Sequence, residues 1–288
     1  MSPTSGRSKT NELDEYKQQI ADLYDRRSPV YDDNNWLLQI CQRLIEYSQI
    51  RSGDRILDIG TGTGHLAFAA AKIVGDTGRV IGVDISVRML KQAQDKANAL
   101  GLNNIEFQLA DAELLQFPSS SFDRILCANT FPWLENKAAT LSLWYQFLQP
   151  GGLIGVHTPA DTAYIGYVVF QQVLARYGVS LAPSNRLGTL EECRNLFLAA
   201  GFADVEIETD QHGSYTSIDK AKAAWGGNSF PTPGNEDPLS RLSAAQLESA
   251  KTEFEAELAA RVTKQGVWDD LTTWYAIARK PKDISYYR

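Results

Sequence analysis

Cysteine and histidine are scarce in this chain, three of each in 288 residues. Cys41, Cys127 and Cys193 lie far apart with no C-x-x-C pair, which excludes a disulfide framework and the common zinc spacings. A reducing compartment follows, and no metal site is expected. No lysine or arginine cluster interrupts a formal charge of −7. No nucleic-acid partner is therefore expected, nor a resting place on an anionic membrane. No apolar run is long enough to cross a bilayer, so integral membrane association is not expected either. Residues 1–10 are polar and lack the apolar core of a secretory signal, and the expectation is a cytoplasmic protein with a disordered tail there. Internal repeats and low-complexity tracts are missing too. What is present is 43% hydrophobic and 22% charged, ordinary for a globular chain with a sizeable core.

The informative stretch is Ile56-Leu57-Asp58-Ile59-Gly60-Thr61-Gly62-Thr63-Gly64-His65. A buried-strand pattern runs into alternating glycines, and a helix pattern follows. Glycines allow a tight turn and a close backbone approach to a ligand, and the helix start offers unpaired N–H groups. The spacing G-x-G-x-G, with His65 where a third glycine would stand, departs from the dinucleotide fingerprint G-x-G-x-x-G. A second strand, Val80 to Val83, ends in Asp84, a carboxylate placed to accept hydrogen bonds from both hydroxyls of a ribose. A third ends near Asp111-Ala112. A fourth, Asp123 to Ala128, ends at Asn129-Thr130, and a fifth follows the turn Gly151-Gly152. Strands alternate with helices to residue 157, the pattern of a parallel sheet with right-handed crossovers.

This ordered series resembles the class I S-adenosylmethionine-dependent methyltransferases, and within them the ubiquinone/menaquinone (type 11) group. The resemblance is carried by residues 55–157. It implies a Rossmann-like, doubly wound α/β sheet of seven strands, six parallel and one antiparallel at the edge, with an N-terminal helical lid and cap insertions. The implied organisation is a lid over 11–50, a cofactor-binding core over 51–160, and a first cap insertion over 161–188. Residues 189–209 and 271–280 complete the core, and 210–270 form a second insertion with a helix carrying Leu247, Ala250, Phe254, Leu258 and Val262 on one face. The implied cofactor is S-adenosyl-L-methionine, leaving as S-adenosyl-L-homocysteine. By resemblance Gly60, Thr61, Gly62 and Gly64 pass under its methionine end with Asp58 orienting that end. Asp84 would hold the ribose, Asp111 and Ala112 the adenine edge, Ile85 and Met89 the adenine face, and Asn129 and Thr130 the amino-acid end. Tyr31, on the lid, would close over the cofactor.

Methyl transfer from a sulfonium is an in-line displacement at an activated carbon, so alignment and desolvation supply much of the acceleration. A base is required only if the nucleophile must lose a proton. His157, at the end of the fifth strand, and His212, after the sixth, are the candidates. Tyr24, Phe131, Trp133, Tyr164, Tyr167, Trp225 and Phe230 are candidate walls of an acceptor pocket, suited to a flat or hydrophobic small molecule. The expected function is O- or N-methylation of a small molecule in natural-product tailoring. The alternatives are C-methylation of a quinone-like ring and a catalytically silent cofactor-binding module; the sequence leaves the oligomeric state open.

Overall fold

A computed structural model describes residues 13–33, 35–179, 189–225 and 237–282. The first 12 residues, 180–188 and 226–236 lie outside it, and with them the expected tail, the end of the first insertion, and Phe230.

The chain opens with α1 (Glu15–Arg27), a 3₁₀ turn (Ser28–Asp33) and α2 (Asn35–Tyr47). Pro29 has no N–H to continue α1, which ends there. The core then alternates β1 (Arg55–Ile59), α3 (His65–Val74), β2 (Arg79–Asp84), α4 (Val87–Ala99), β3 (Ile105–Leu109), β4 (Phe122–Ala128), α5 (Lys137–Phe147) and β5 (Leu148–Pro159). After α6 (Ile165–Arg176) and α7 (Leu190–Ala199) comes β6 (Ala203–Asp210). An excursion of β7 (Gly213–Thr216), α8 (Ile218–Lys222), α9 (Ala244–Ala259), β8 (Val262–Thr263) and β9 (Gly266–Asp270) precedes the last strand, β10 (Thr273–Arg279).

Seven strands form one sheet in the order β3-β2-β1-β4-β5-β10-β6. The first five pair in parallel, and β10 runs antiparallel to both β5 and β6 at that end of the sheet. Period-2 alternation sends neighbouring side chains to opposite faces. Ile56, Val80 and Leu126 meet Leu44, Leu66 and Ala70 of α2 and α3 on one face. Leu57, Ile125 and Ile154 meet Leu141, Trp144 and Phe197 of α5 and α7 on the other. This is a doubly wound sheet, and such sheets bind ligands beyond the carboxyl ends of their strands.

The second insertion is more structured than its sequence suggests. It holds a three-stranded sheet, β7-β9-β8, that periodicity did not reveal because its strands have two to five residues. Helix α9 opens with a capping box, Ser243 and Gln246 bonding reciprocally. It closes at Ala259, so Val262 is not on its buried face; it sits in β8, 46% exposed. Ala250, Phe254 and Leu258 pack on Val169, Phe170 and Val173 of α6, making a cap core separate from the main one.

Candidate active site

Three loops at the carboxyl ends of β1, β2 and β3 build the floor of one cavity, and the N-terminal segment roofs it. Gly60 and Gly62 turn with φ of +68° and +55°, conformations that disfavour any side chain. At Gly60 a Cβ would also collide with Thr130, and at Gly62 it would stand 3.6 Å from the Tyr31 ring. The cavity encloses about 690 Å³, part of it open to solvent. Tyr24, Tyr31, Gly60, Gly62, Asp84, Ile85, Asp111, Ala112, Asn129, Thr130 and Trp133 all border it. Asp58 and Thr61 border a smaller adjoining chamber of about 380 Å³, together with Cys41 and His65. Tyr31, Gly60, Gly62 and Asn129 are common to both spaces.

Two acids in these spaces are buried at a cost. Asp58 is 1% exposed and accepts a hydrogen bond from Thr61 Oγ1 at 2.7 Å. Burial, against the Thr61 bond and aided by the negative charge of Asp84, pushes its carboxyl up to about 7. Burial likewise raises Asp84, opposed by the N–H groups of Ser86 and Gly62, each 2.8 Å from one of its oxygens. The Ile85 N–H adds a third bond, and a carboxylate of about four lone-pair sites still keeps room for a further donor. Asp111 is engaged differently. Its Oδ1 accepts the Glu113 N–H and its Oδ2 lies 2.7 Å from Lys17 Nζ, which is also 3.0 Å from Glu113. Burial opposes the Lys17 ammonium, but its bonds to both carboxylates outweigh that and hold its pKa above the usual lysine value. The Ala112 carbonyl accepts the Trp144 indole N–H at 2.9 Å, which leaves it one further lone pair.

Other sequence candidates fall elsewhere. Met89 is wholly buried on the inner face of α4 and Gly64 is the N-cap of α3 with φ +92°; neither borders the cavity. Phe131 is a core residue, packed on Trp144 and Phe197, because the 3₁₀ turn after β4 rotates it inward and Trp133 outward. Trp225 lies within the cap, edge-on to Phe170 and tilted against Phe254, and Tyr167 packs on the same cluster. Tyr164 begins α6 in a left-handed conformation, φ +67°, fastened by its N–H to the Asp270 carbonyl, and does not border the cavity.

Neither histidine reaches the cavity. His157 is 1% exposed, bonded through Nε2 to Thr273 Oγ1 and set against the Tyr275 ring, while its Nδ1 has no hydrogen-bond partner among the described residues. Burial drives its pKa down to about 3. β5 runs on to Pro159, so His157 is interior to the strand and packs within the sheet. His212 lies on the outer side against Trp36, with ring centroids 4.6 Å apart.

Residues with no sequence signal complete the roof. Lys17 and Ile20 border the cavity from α1. Asp32 reaches Thr63 Oγ1 at 2.6 Å, Lys96 Nζ at 2.5 Å and His65 Nε2 at 2.9 Å.

Comparison with known proteins settles the family. A methyltransferase-domain profile matches residues 50–177. Aklanonic acid methyltransferase DauC of Streptomyces sp. (strain C5) is 34% identical over 150 residues, covering 51% of this chain and 68% of that one. The chain belongs to the class I S-adenosylmethionine-dependent methyltransferases. The ubiquinone/menaquinone C-methyltransferase UbiE of Teredinibacter turnerae is 42% identical over 109 residues, 38% of this chain and 44% of UbiE, so this match spans less than half of that relative. In fold, Haemonchus contortus phosphoethanolamine N-methyltransferase 2, solved with phosphomonomethylethanolamine and S-adenosylhomocysteine, superposes with a TM-score of 0.61 at 18% identity, over 94% of this chain and 61% of that one.

The cofactor of this methyltransferase is S-adenosylmethionine, and the cavity fits it. The glycine cradle leaves room that a Cβ at Gly62 would enter, two carboxylates stand at the ends of β2 and β3, and Ile85, Val83 and Leu134 supply apolar walls. When bound, the cofactor supplies the activated methyl group.

Proposed function

We propose that this methyltransferase acts on a small-molecule acceptor, at oxygen or nitrogen, as in the tailoring of natural products. The observation that carries this reading is the lining of the roofed cavity. It is bordered by aromatic rings from the roof and from the turn after β4, as small-molecule sites commonly are. Tyr24 meets Tyr31 and Trp133 edge-on, each at a centroid distance of 6.0 Å. Such walls exclude water and orient a flat molecule. DauC, named as an aklanonic acid methyltransferase, supports the same class.

In this reading Asp84 holds the ribose hydroxyls, Asp58 and Asn129 face the amino-acid end, and Tyr31 closes over both chambers. No base is assigned: the buried His157 and the outward His212 leave the acceptor's own acidity and its alignment to do the work. The UbiE relatives favour a second reading, carbon methylation of a quinone-like ring. A cytoplasmic setting is supported by thiols that are all unpaired, and among the described residues no helix is long and apolar enough to cross a membrane.

The test is incubation of the purified protein with methyl-labelled S-adenosylmethionine and host extract divided into small-molecule, protein and nucleic-acid fractions. Label in the small-molecule fraction is expected. Transfer to protein or nucleic acid alone, or tight cofactor binding with no transfer, would sink the proposal, the last result favouring the silent module.

A further inference from the structure

Three successive residues of the glycine loop make three different ties. Thr61 Oγ1 donates to Asp58 and the Gly62 N–H to Asp84, so both are held by the floor. Thr63 is held by the roof instead: its hydroxyl, on a residue 1% exposed, donates to Asp32 Oδ1 at 2.6 Å. Asp32 Oδ2 accepts from Lys96 Nζ, and Lys96 also donates to the Thr63 carbonyl at 3.2 Å. These bonds close a ring that joins the 3₁₀ turn, the glycine loop and α4. Burial opposes ionisation of Asp32, but the bonds from Lys96 and Thr63 outweigh it and hold the carboxyl below its ordinary value. The tie is therefore a charged one at ordinary pH, and charge-assisted bonds are the stronger kind.

The same helix sets the register of the roof. Gln92 and Lys96 lie one turn apart on α4. Gln92 donates to the Ser28 carbonyl at 2.8 Å, and Lys96 takes Asp32. Tyr31 stands between those two fastenings in the 3₁₀ turn. Its ring borders both chambers and lies 3.6 Å from where a Gly62 side chain would begin. Asp32 and Thr63 border neither chamber. Their bond reaches a bound molecule only through Tyr31 above and the loop below. It fixes the spacing between those two surfaces, and a ligand lying on the cradle meets both.

We propose that Asp32 is a positioning residue for the cofactor: by holding Thr63 it seats Tyr31 over the glycine loop, and so slows the release of S-adenosylhomocysteine. The proposal concerns the cofactor alone and is independent of what the acceptor is.

The experiment is a double-mutant cycle on the full-length protein, Asp32→Ala against Thr63→Val. It is read by calorimetric titration with S-adenosylhomocysteine and by release of the radiolabelled compound into an unlabelled excess. Thr63→Val replaces the hydroxyl by a methyl of similar shape. It should raise Kd about fivefold, the effect of one hydrogen bond, with the change in the dissociation rate. Asp32→Ala should raise Kd at least as much, and the double variant should bind no more weakly than Asp32→Ala. Thr63→Ser keeps the donor and should stay within about twofold of the parent. A tie that only stabilises the fold would lower the melting temperature equally with and without ligand and leave Kd at the parental value. That result would overturn the proposal. So would losses that multiply in the double variant, Thr63→Ser matching Thr63→Val, or weaker binding carried by slower association with release unchanged. Asp95→Asn breaks the exposed Lys91 pair on the same helix and should leave Kd unchanged; an equal loss there would show a general charge effect and overturn the proposal as well.

Discussion

Asp58 should make the protein less stable as pH rises, and replacing it with asparagine should remove that dependence. Its carboxyl is held at about 7 in the folded chain, against a value of 3.8 for the free group. A folded-state pKa above the unfolded one means the native state binds the proton more tightly. Stability is then fully present below the unfolded value and declines as pH climbs through the folded value. At about 1.36 kcal/mol per unit, the charged form costs about 4 kcal/mol above neutrality and about 1.7 kcal/mol at pH 5. The side chain is almost wholly buried, so solvent screening takes little from this. Asp58→Asn keeps the shape and an acceptor for the Thr61 hydroxyl, and has nothing to ionise. In urea unfolding of the ligand-free protein, the variant should gain about 2.5 kcal/mol relative to the parent between pH 5 and pH 8, whatever its offset at pH 5. The difference between proteins cancels the titrating groups not coupled to Asp58; Asp84, whose charge raises Asp58, is the one coupled group. A gap that stays constant across that window would refute the burial argument, and with it the view that this chamber holds a carboxylate waiting for a cationic partner.

Asp84→Ala should weaken S-adenosylhomocysteine by about 1.5–3 kcal/mol, the loss for hydrogen bonds to a charged group; calorimetry showing parental affinity would remove Asp84 from the ribose role. His157→Gln should leave turnover at the parental rate and flatten the acid limb of stability. The His157 pKa is lowered by burial to about 3, so its contribution is present above 6.5 and fades as pH falls, by about 2 kcal/mol at pH 5; a large drop in turnover with normal stability would restore it as a base. Lys17→Met should destabilise the fold by about 3 kcal/mol or more, because it leaves the Asp111 and Glu113 carboxylates buried without their cation; a melting curve matching the parent's would show the cluster to be solvated.

The sheet was legible because its signals are local. The runs before Asp58, Asp84 and Asn129 are short, apolar and bounded by glycine or polar turns, and the Thr189 and Ser243 capping boxes mark helix starts that the structure shows. The floor of the cavity was legible for the same reason, since each floor residue follows directly on a strand. The roof was not. Lys17 reaches Asp111 across 94 positions of sequence, and Asp32 reaches Lys96 across 64. Nothing in the amphipathic pattern of α1 distinguishes the lysine that pairs from those that face solvent. Phe131 and Trp133 show the limit most clearly: both are aromatic, two residues apart, and only the hand of a 3₁₀ turn decides which is core and which is wall. His157 looked chemical because strand ends in such sheets face ligands, but β10 pairs beside it and its Thr273 claims the ring.

The fastenings of the roof bear on how the site works. Lys17 lands on Asp111 and Glu113 after β3. Asp25 accepts from Ser86 Oγ at 2.5 Å and the Arg88 N–H at 3.1 Å, at the N-terminus of α4 just past Asp84. Asp32 lands on the glycine loop through Thr63 and on α4 through Lys96. All three anchors are polar, and each contributes on the order of 1 kcal/mol net, far below its gross strength. The apolar part of the attachment is Tyr16, Ile20, Ala21 and Leu23, all buried, and each larger side chain of this kind contributes about 1.5–3 kcal/mol. Packing as well as polar contacts therefore holds the roof. Its anchors are also the segments that carry Asp84, Asp111 and the glycine cradle, so whatever fixes those segments strengthens the roof's hold. A ligand that orders the floor therefore acts on the roof through the same contacts, which hold the Tyr24, Tyr31 and Trp133 corner together.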